Sequence, residues 1–248
     1  MSDRARKHFD DVAGKYHETY SSWESLYRGM RDIVRPAVAG KDVLDIGNGG
    51  VFAYDVGQAA SVTAVDISPA MLDTITDPAV RKVVADARDL LGIADESADA
   101  ALFSFTIHHI TGDTVAESVA SLRRALASAA RALRPGGTLF VAEPVVRSAA
   151  MWAVERACFP LVRWLLARRG VSAVLFYEQR LLSSAMAEAL GTPVDTLRVT
   201  RLPLEGSTDP LGGTLPGLVR IPAWLHPARH VLIEGRKAEG PEGRVITR

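Results

Sequence analysis

The period of the apolar positions changes along the chain. Near the start, Phe9, Val12, Ala13 and Tyr16 recur at helical spacing, as do Leu26, Met30, Ile33 and Val34 before Pro36 and Gly40, which predicts two leading helices. After Gly40 come short apolar runs rich in β-branched residues, each bounded by Gly, Asp or Pro and each followed by a helical pattern. That alternation is the mark of βαβ units. The runs fall at 43–46, 62–66, 82–85, 100–106 and 138–143, which predicts five strands. Between the last two, Val115, Val119, Leu122, Leu126, Ala129 and Leu133 form one apolar stripe, a helix over 113–133 that Pro135-Gly136-Gly137 should stop.

Continuous apolar runs, unlike alternating ones, belong to strands buried on both faces, so the expected core is α/β: a doubly wound, mostly parallel, Rossmann-like sheet with helices on both sides. Ligands in such a sheet sit beyond the carboxyl ends of the strands. The positions to read are therefore 47–50, Asp66, Asp86, His108 with His109, and Glu143. Residues 147–190 read as a helical insertion and 197–204 and 230–234 as two late strands. Residues 205–227, rich in Gly and Pro, read as a long loop, and the tail from Glu239 as disordered. The expected organisation is a helical cap over 1–40, a ligand-binding core over 41–146, a lid over 147–190, late strands over 191–238 and the tail over 239–248. No internal repeat is evident.

Composition narrows the function classes. With 248 residues, 48% hydrophobic and 23% charged, the chain can bury one large core, which excludes intrinsic disorder and small stapled scaffolds. Twenty-nine basic residues balance 29 acidic ones, so no global field gathers nucleic acid or an acidic membrane. The lone Cys158 can form neither an internal disulfide nor a thiolate metal site and fits a reducing compartment, with cytoplasm as the expectation. Residues 1–20 lack the apolar core of a secretory leader, and no run reaches the ~18 apolar residues of a membrane span.

The turn Asp45-Ile46-Gly47-Asn48-Gly49-Gly50 follows a strand, where glycines let a ligand approach the backbone. A dinucleotide fingerprint would place its third glycine at the position of Phe52, whose ring obstructs the close packing that this glycine permits. Asp45 would repel a pyrophosphate and suits a cationic ligand. Asp66, at the end of the next run, can accept from two ribose hydroxyls, and Asp86, after the third, from an adenine amine. An adenosine with a positive tail answers this set, and S-adenosylmethionine is that molecule.

These residues resemble the class I S-adenosylmethionine-dependent methyltransferases, in particular the small-molecule branch near the quinone-methylating enzymes. The resemblance rests on Asp45-Ile46-Gly47-Asn48-Gly49, on 65–72 (VDISPAML), on Ala85-Asp86-Ala87, on 104–110 (SFTIHHI) and on Leu133-Arg134-Pro135-Gly136-Gly137, in the family's order over about 41–144. It implies a seven-stranded sheet with a late hairpin and a cofactor held by Asp45, Gly47, Asn48, Gly49, Asp66, Ile67, Asp86, Ala87 and the backbone near Ser104. It further implies that the segment 9–16 folds over the cofactor, with Tyr16 at the methionine end. The departure is Val51, where the family's loop often carries a glycine.

Methyl transfer is an in-line displacement at an activated carbon, so alignment dominates and a base is optional. Where the acceptor carries a proton, a histidine can remove it, contributing typically ~10²–10⁴ in rate. His108 and His109 follow the fourth strand and Glu143 ends the fifth, so all three are candidate catalytic residues, with Glu143 orienting a histidine or anchoring the acceptor. The bland alternatives are a capping histidine and a carboxylate satisfying backbone donors; a strand-terminal Asp can equally be a helix N-cap. No metal is expected, because adjacent histidines on one strand end should point apart.

The insertion carries Arg147, Arg156, Arg163, Arg168 and Arg169 against one acid, Glu155. It reads first as a lid whose Trp and Leu side chains roof the substrate and second as a membrane-lying element, which a break at Pro160 would disfavour. The function expected is methyl transfer to an O, N or C atom of a small hydrophobic metabolite, natural-product or quinone-like. Its partner would be that acceptor, with a homodimer as the one assembly considered and neither nucleic acid nor stable membrane insertion. The rivals are a cofactor-binding protein without methyl transfer (a partner subunit or rearrangement catalyst) and a nicotinamide reductase, which Phe52 and Asp45 oppose.

Overall fold

The computed structural model describes residues 3–20, 24–202 and 228–240. Two helices lead, α1 (Asp3–Tyr20) and α2 (Glu24–Val38). Then come β1 (Asp42–Ile46), β2 (Ser61–Asp66), α3 (Pro69–Asp73), β3 (Val80–Val84), β4 (Ala98–Ser104), α4 (Val115–Ala132) and β5 (Leu133–Val146). The chain continues through α5 (Ala149–Arg168), α6 (Gln179–Leu190), β6 (Arg198–Arg201) and β7 (Ala228–Arg236). One seven-stranded sheet results, in the order β3-β2-β1-β4-β5-β7-β6. β1 to β5 are parallel, and β7 runs antiparallel to both β5 and β6. The sheet is the doubly wound, Rossmann-like one expected, and its order reverses between β1 and β4, where a crevice opens at the carboxyl ends.

Alternation along the strands builds two cores. Phe103, Leu139, Val141 and Ile233 face one way, toward Leu122 and Leu126 of α4 and Met186 of α6. Leu102, Phe140 and Leu232 face the other, toward Met30 and Val34 of α2. Burial of both faces is what the continuous apolar runs required. The α4 stripe begins at a reciprocal cap: Thr114 accepts from the Glu117 backbone, and the Glu117 side chain accepts from that of Thr114.

Several expectations change. The β1–β2 crossover carries only a 3-10 turn, Val56–Gln58, and residues 85–97 between β3 and β4 form no helix, so not every run is followed by one. β5 begins at Leu133, not at 138: Leu133 already pairs with Ala98 across a register shift, and Pro135-Gly136-Gly137 lies inside the strand. The strand also runs past Glu143. Pro144 is tolerated because Ala142 makes the last β4-side pairing, so the missing N–H faces the side where β4 has ended. Pro160 does not break the insertion; α5 runs unbroken through it, with Pro160 on the exposed side, where the carbonyl it frees can be hydrated. The late strands are Arg198–Arg201 and Ala228–Arg236. The loop expected over 205–227 and the tail beyond Gly240 lie outside the described residues. No described helix is long and apolar enough to cross a membrane.

Candidate functional site

The carboxyl ends of β1, β2 and β4 open onto a cavity lined by Gly47, Gly49, Asp66, Ile67, Ala87 and His109, with Phe9 of α1 above them. The floor is set at Gly47. Its φ of +70° lies in the left-handed region, and a Cβ there would come within 2.1 Å of the Thr106 Cγ2 atom. The Thr106 hydroxyl in turn donates toward the Gly47 carbonyl at 3.2 Å, fastening the β1 turn to the end of β4. Between them stands Phe105, a non-glycine residue at φ +55°, held by its N–H on the Ala142 carbonyl at 2.8 Å. Such strain at a switch point persists only where the surroundings impose it.

Asp66 ends β2 and lines the cavity. Its Oδ1 accepts the Ser68 N–H at 2.8 Å, and Ser68 caps α3 through the Met71 N–H at 3.1 Å. Burial pushes the Asp66 carboxyl up to about 7 against the pull of the Ser68 and Ile67 backbones, with Asp10 adding to the rise. Asp10 belongs to α1 and accepts from the Ser68 hydroxyl at 2.5 Å, so the leading helix is fixed over the corner occupied by Asp66. The Tyr16 side chain lies outside the described residues.

Asp45 is buried in β1 behind the cavity wall. Its Oδ2 accepts from the Tyr54 hydroxyl at 3.1 Å, while its Oδ1 has no hydrogen-bond partner among the described residues. Burial pushes this carboxyl too up to about 7, opposed by Asn48 and Tyr54. Asn48 does not line the cavity. It folds the loop, accepting the Gly50 N–H on Oδ1 at 2.7 Å and donating to the Val51 carbonyl at 3.3 Å. Asp86 does not line it either, because Arg88 grips both its oxygens at 2.6–3.1 Å. Ser104 ends β4 with its hydroxyl oxygen buried and without a hydrogen-bond partner.

The histidine pair sits on a 3-10 turn, Ile107–His109, and not at a strand end. The two rings therefore do not point apart; their centroids are 4.0 Å from each other. His108 turns away from the cavity. Its Nδ1 lies 2.7 Å from Glu143 Oε2, and the other carboxyl oxygen accepts the N–H groups of Thr106 and Ile107 at 2.7 and 2.6 Å. Glu143 is thus the cap of the turn and the anchor of His108 at once. Burial lowers His108 to about 3 and raises Glu143 to about 8. His109 faces the cavity, edge-on to Phe9 at 5.0 Å, and its Nδ1 is buried without a hydrogen-bond partner. Burial, reinforced by His108 and His8, holds it well below the ordinary histidine value. Among the described residues no cluster of His, Cys, Asp and Glu could hold a metal ion.

Thr106, Phe105, Tyr54 and Arg88 also shape the site, although the sequence pattern assigned them no role of their own. Thr106 and Phe105 stand just after a strand end, where that pattern singled out neighbouring positions. Tyr54 and Arg88 act through contacts that no spacing rule announces. The whole fits a nucleoside with a positive tail: Asp66 offers carboxylate oxygen at the β2 end, Gly47 leaves a cradle that a side chain would fill, and Asp45 Oδ1 and Ser104 Oγ are buried acceptors without hydrogen-bond partners.

Comparison with known proteins agrees. A sequence-family profile described as a methyltransferase domain matches residues 44–141. No curated protein matches the chain. Among solved structures, a chain in the complex between the Haloferax volcanii Trm112 methyltransferase activator and its methyltransferase is 18% identical, with a TM-score of 0.62, covering 95% of this chain and 98% of that one. The Burkholderia thailandensis 1,6-didemethyltoxoflavin-N1-methyltransferase, with 1,6-didemethyltoxoflavin and S-adenosylhomocysteine bound, is 20% identical, with a TM-score of 0.57 over 93% of this chain and 87% of that one. The [4+2]-cyclase SpnF is 16% identical, with a TM-score of 0.50 over 85% and 81%. At these identities the solved structures establish the fold, and the family profile supplies the activity. Residues 44–141 thus carry a methyltransferase domain on a fold similar to that of the class I S-adenosylmethionine-dependent methyltransferases, with S-adenosylmethionine as the cofactor.

Proposed function

We propose that the chain methylates an O, N or C atom of a small hydrophobic metabolite and that His109 is the residue that meets the acceptor. One observation carries this reading: of the two histidines, His109 alone lines the cavity, and its Nδ1 is buried without a hydrogen-bond partner. The cofactor supplies a methyl group on a positively charged sulfur. Asp66 binds the ribose hydroxyls, the Gly47–Gly49 turn admits the methionine portion, and Asp45 offsets its charge from behind the wall. Ile67, Ala87 and the Ser104 backbone complete the contact. Phe9 roofs the cavity and excludes water, which favours alignment over solvation.

With its Nδ1 unpartnered at the cavity wall, the His109 ring can take a proton from a hydroxyl or ammonium acceptor as the methyl group moves, working against the burial that lowers its basicity. His108 and Glu143 are positioning residues: they hold the 3-10 turn that aims His109. Residues 1–40 serve as the cap, 41–146 as the cofactor-binding core, 147–190 as the lid and 191–238 as the part that completes the sheet. The Burkholderia enzyme on the same fold methylates a nitrogen of a small molecule, which accords with a small acceptor here. The single cysteine, exposed Cys158, fits work in the cytoplasm.

The test is incubation of the protein with methyl-labelled S-adenosylmethionine and a metabolite extract, read by mass spectrometry. A labelled small molecule formed together with S-adenosylhomocysteine is the expected result. Cofactor binding without S-adenosylhomocysteine in any fraction would point to the non-transferring alternative.

A further inference from the structure

Helix α5 is apolar on two faces. The inner one is satisfied: Phe159 is buried, Trp152 and Leu166 pack against the main core, and Glu155 turns inward to accept the Phe176 N–H at 3.2 Å. The outer one is not. Val154, Leu161 and Leu165, at i, i+7 and i+11, share one stripe with Trp164 at its border, and these side chains are 62, 60, 46 and 48% exposed. Half of the large apolar side chains exposed among the described residues are therefore gathered on this one stripe. Scattered singly they would mean nothing; clustered on a helix they mark a contact surface.

Charge says what kind of contact. Arg168 and Arg169 are exposed beside the end of the stripe, Arg168 lying over the Trp164 ring at 3.9 Å, and the helix's only acid is the inward-facing Glu155. Arginine heads beside an apolar stripe, one of them laid on a bordering indole ring, are suited to a headgroup layer. A second copy of the chain would bring the same arginines to the contact with no acid on this face to meet them. Because α5 runs through Pro160 without a break, the stripe is continuous over its length.

We propose that the outer face of α5 docks the protein on an anionic lipid surface, the apolar stripe entering the headgroup boundary and the arginines meeting lipid phosphates. The contact is peripheral, since no described helix can span a bilayer. It stands on the helix surface alone, independently of the acceptor's identity.

The test is co-sedimentation of the full chain with phosphatidylcholine vesicles, with and without phosphatidylglycerol. Pelleting with the anionic vesicles, weakened by added salt, is the expected result. Leu161→Glu and Leu165→Glu should each lower the partition coefficient by about tenfold or more, with circular dichroism and S-adenosylmethionine binding unchanged. No pelleting with anionic vesicles, or pelleting that both variants leave intact, overturns the proposal. So does a dimer mass in light scattering that Leu161→Glu dissolves while vesicle binding is absent, because a second copy would then be the occupant.

Discussion

The carboxyl group of Glu143 reaches His108 at 2.7 Å with one oxygen and two backbone N–H groups of the following turn with the other. One buried side chain from β5 thereby fixes residues 36 and 37 positions upstream. Glu143→Ala leaves those donors buried and unanswered, and we expect it to cost about 2–4 kcal/mol of stability. Glu143→Gln, which keeps an acceptor for the turn, should cost clearly less. Urea unfolding of both variants decides; equal midpoints for the two would deny Glu143 its capping role.

Gly47→Ala meets both a disfavoured φ and the Thr106 side chain, so it should destabilise by about 1–3 kcal/mol. The cofactor cradle shifts with it. Calorimetry with S-adenosylhomocysteine should show an affinity loss of about tenfold or more, and unaltered binding would mean that the turn does not touch the cofactor.

Asp66 and Asp86 are separable. Asp66→Ala removes a carboxylate aimed into the cavity and should weaken S-adenosylmethionine by about 10–100-fold, the range for one or two hydrogen bonds to a charged acceptor. Asp86→Ala, which mainly releases Arg88, should weaken it less. The reverse ranking in a titration would place adenine recognition on Asp86 after all.

The two histidines should divide in the same way. His109→Ala is expected to lower kcat by about 10²-fold or more on an acceptor that must lose a proton, with cofactor affinity nearly kept. His108→Ala should loosen the turn, seen as reduced thermal stability, and lower kcat less. Full turnover by His109→Ala would leave alignment as the whole mechanism.

Stability should fall as pH rises above about 6.5. Asp45 and Asp66 titrate at about 7 and Glu143 at about 8 in the folded protein, each above its ordinary value, so the folded state keeps protons that the unfolded chain gives up. That contribution is complete below the ordinary carboxyl range and is lost as pH climbs through 7 and 8. The lowered histidines act in the opposite sense, but only below their ordinary value of 6.5. Urea midpoints at increasing pH above that value, without cofactor, should therefore decline; a rise would contradict the burial argument.

Much of the sheet was legible because parallel strands buried on both faces leave continuous apolar runs, and because Asp45, Asp66 and Glu143 punctuate those runs. The β5 start was not, since Pro135-Gly136-Gly137 has the composition of a turn, while pairing of Leu133 with Ala98 is a tertiary event. Pro160 carries a local rule that tertiary packing of Phe159 and Trp152 overrides. Asp86 and Asn48 stand as ligand-contact candidates by position and resemblance. Arg88 folding back, and the loop closing on Asn48, are choices of side-chain direction that one sequence does not disclose. The histidine geometry was hidden in the same way: a strand end would separate the rings, whereas the 3-10 turn that Glu143 caps brings them together at a 42° tilt.

Ser68 joins two tasks, since its hydroxyl caps α3 and also clasps Asp10 of the leading helix. The leading helix is thereby wired to the corner occupied by Asp66. On the proposed ribose role of Asp66, a tag fused there, or a protease nick within it, would be felt as slackened grip on the nucleoside, so cofactor affinity reports the integrity of a region that makes none of the chemistry.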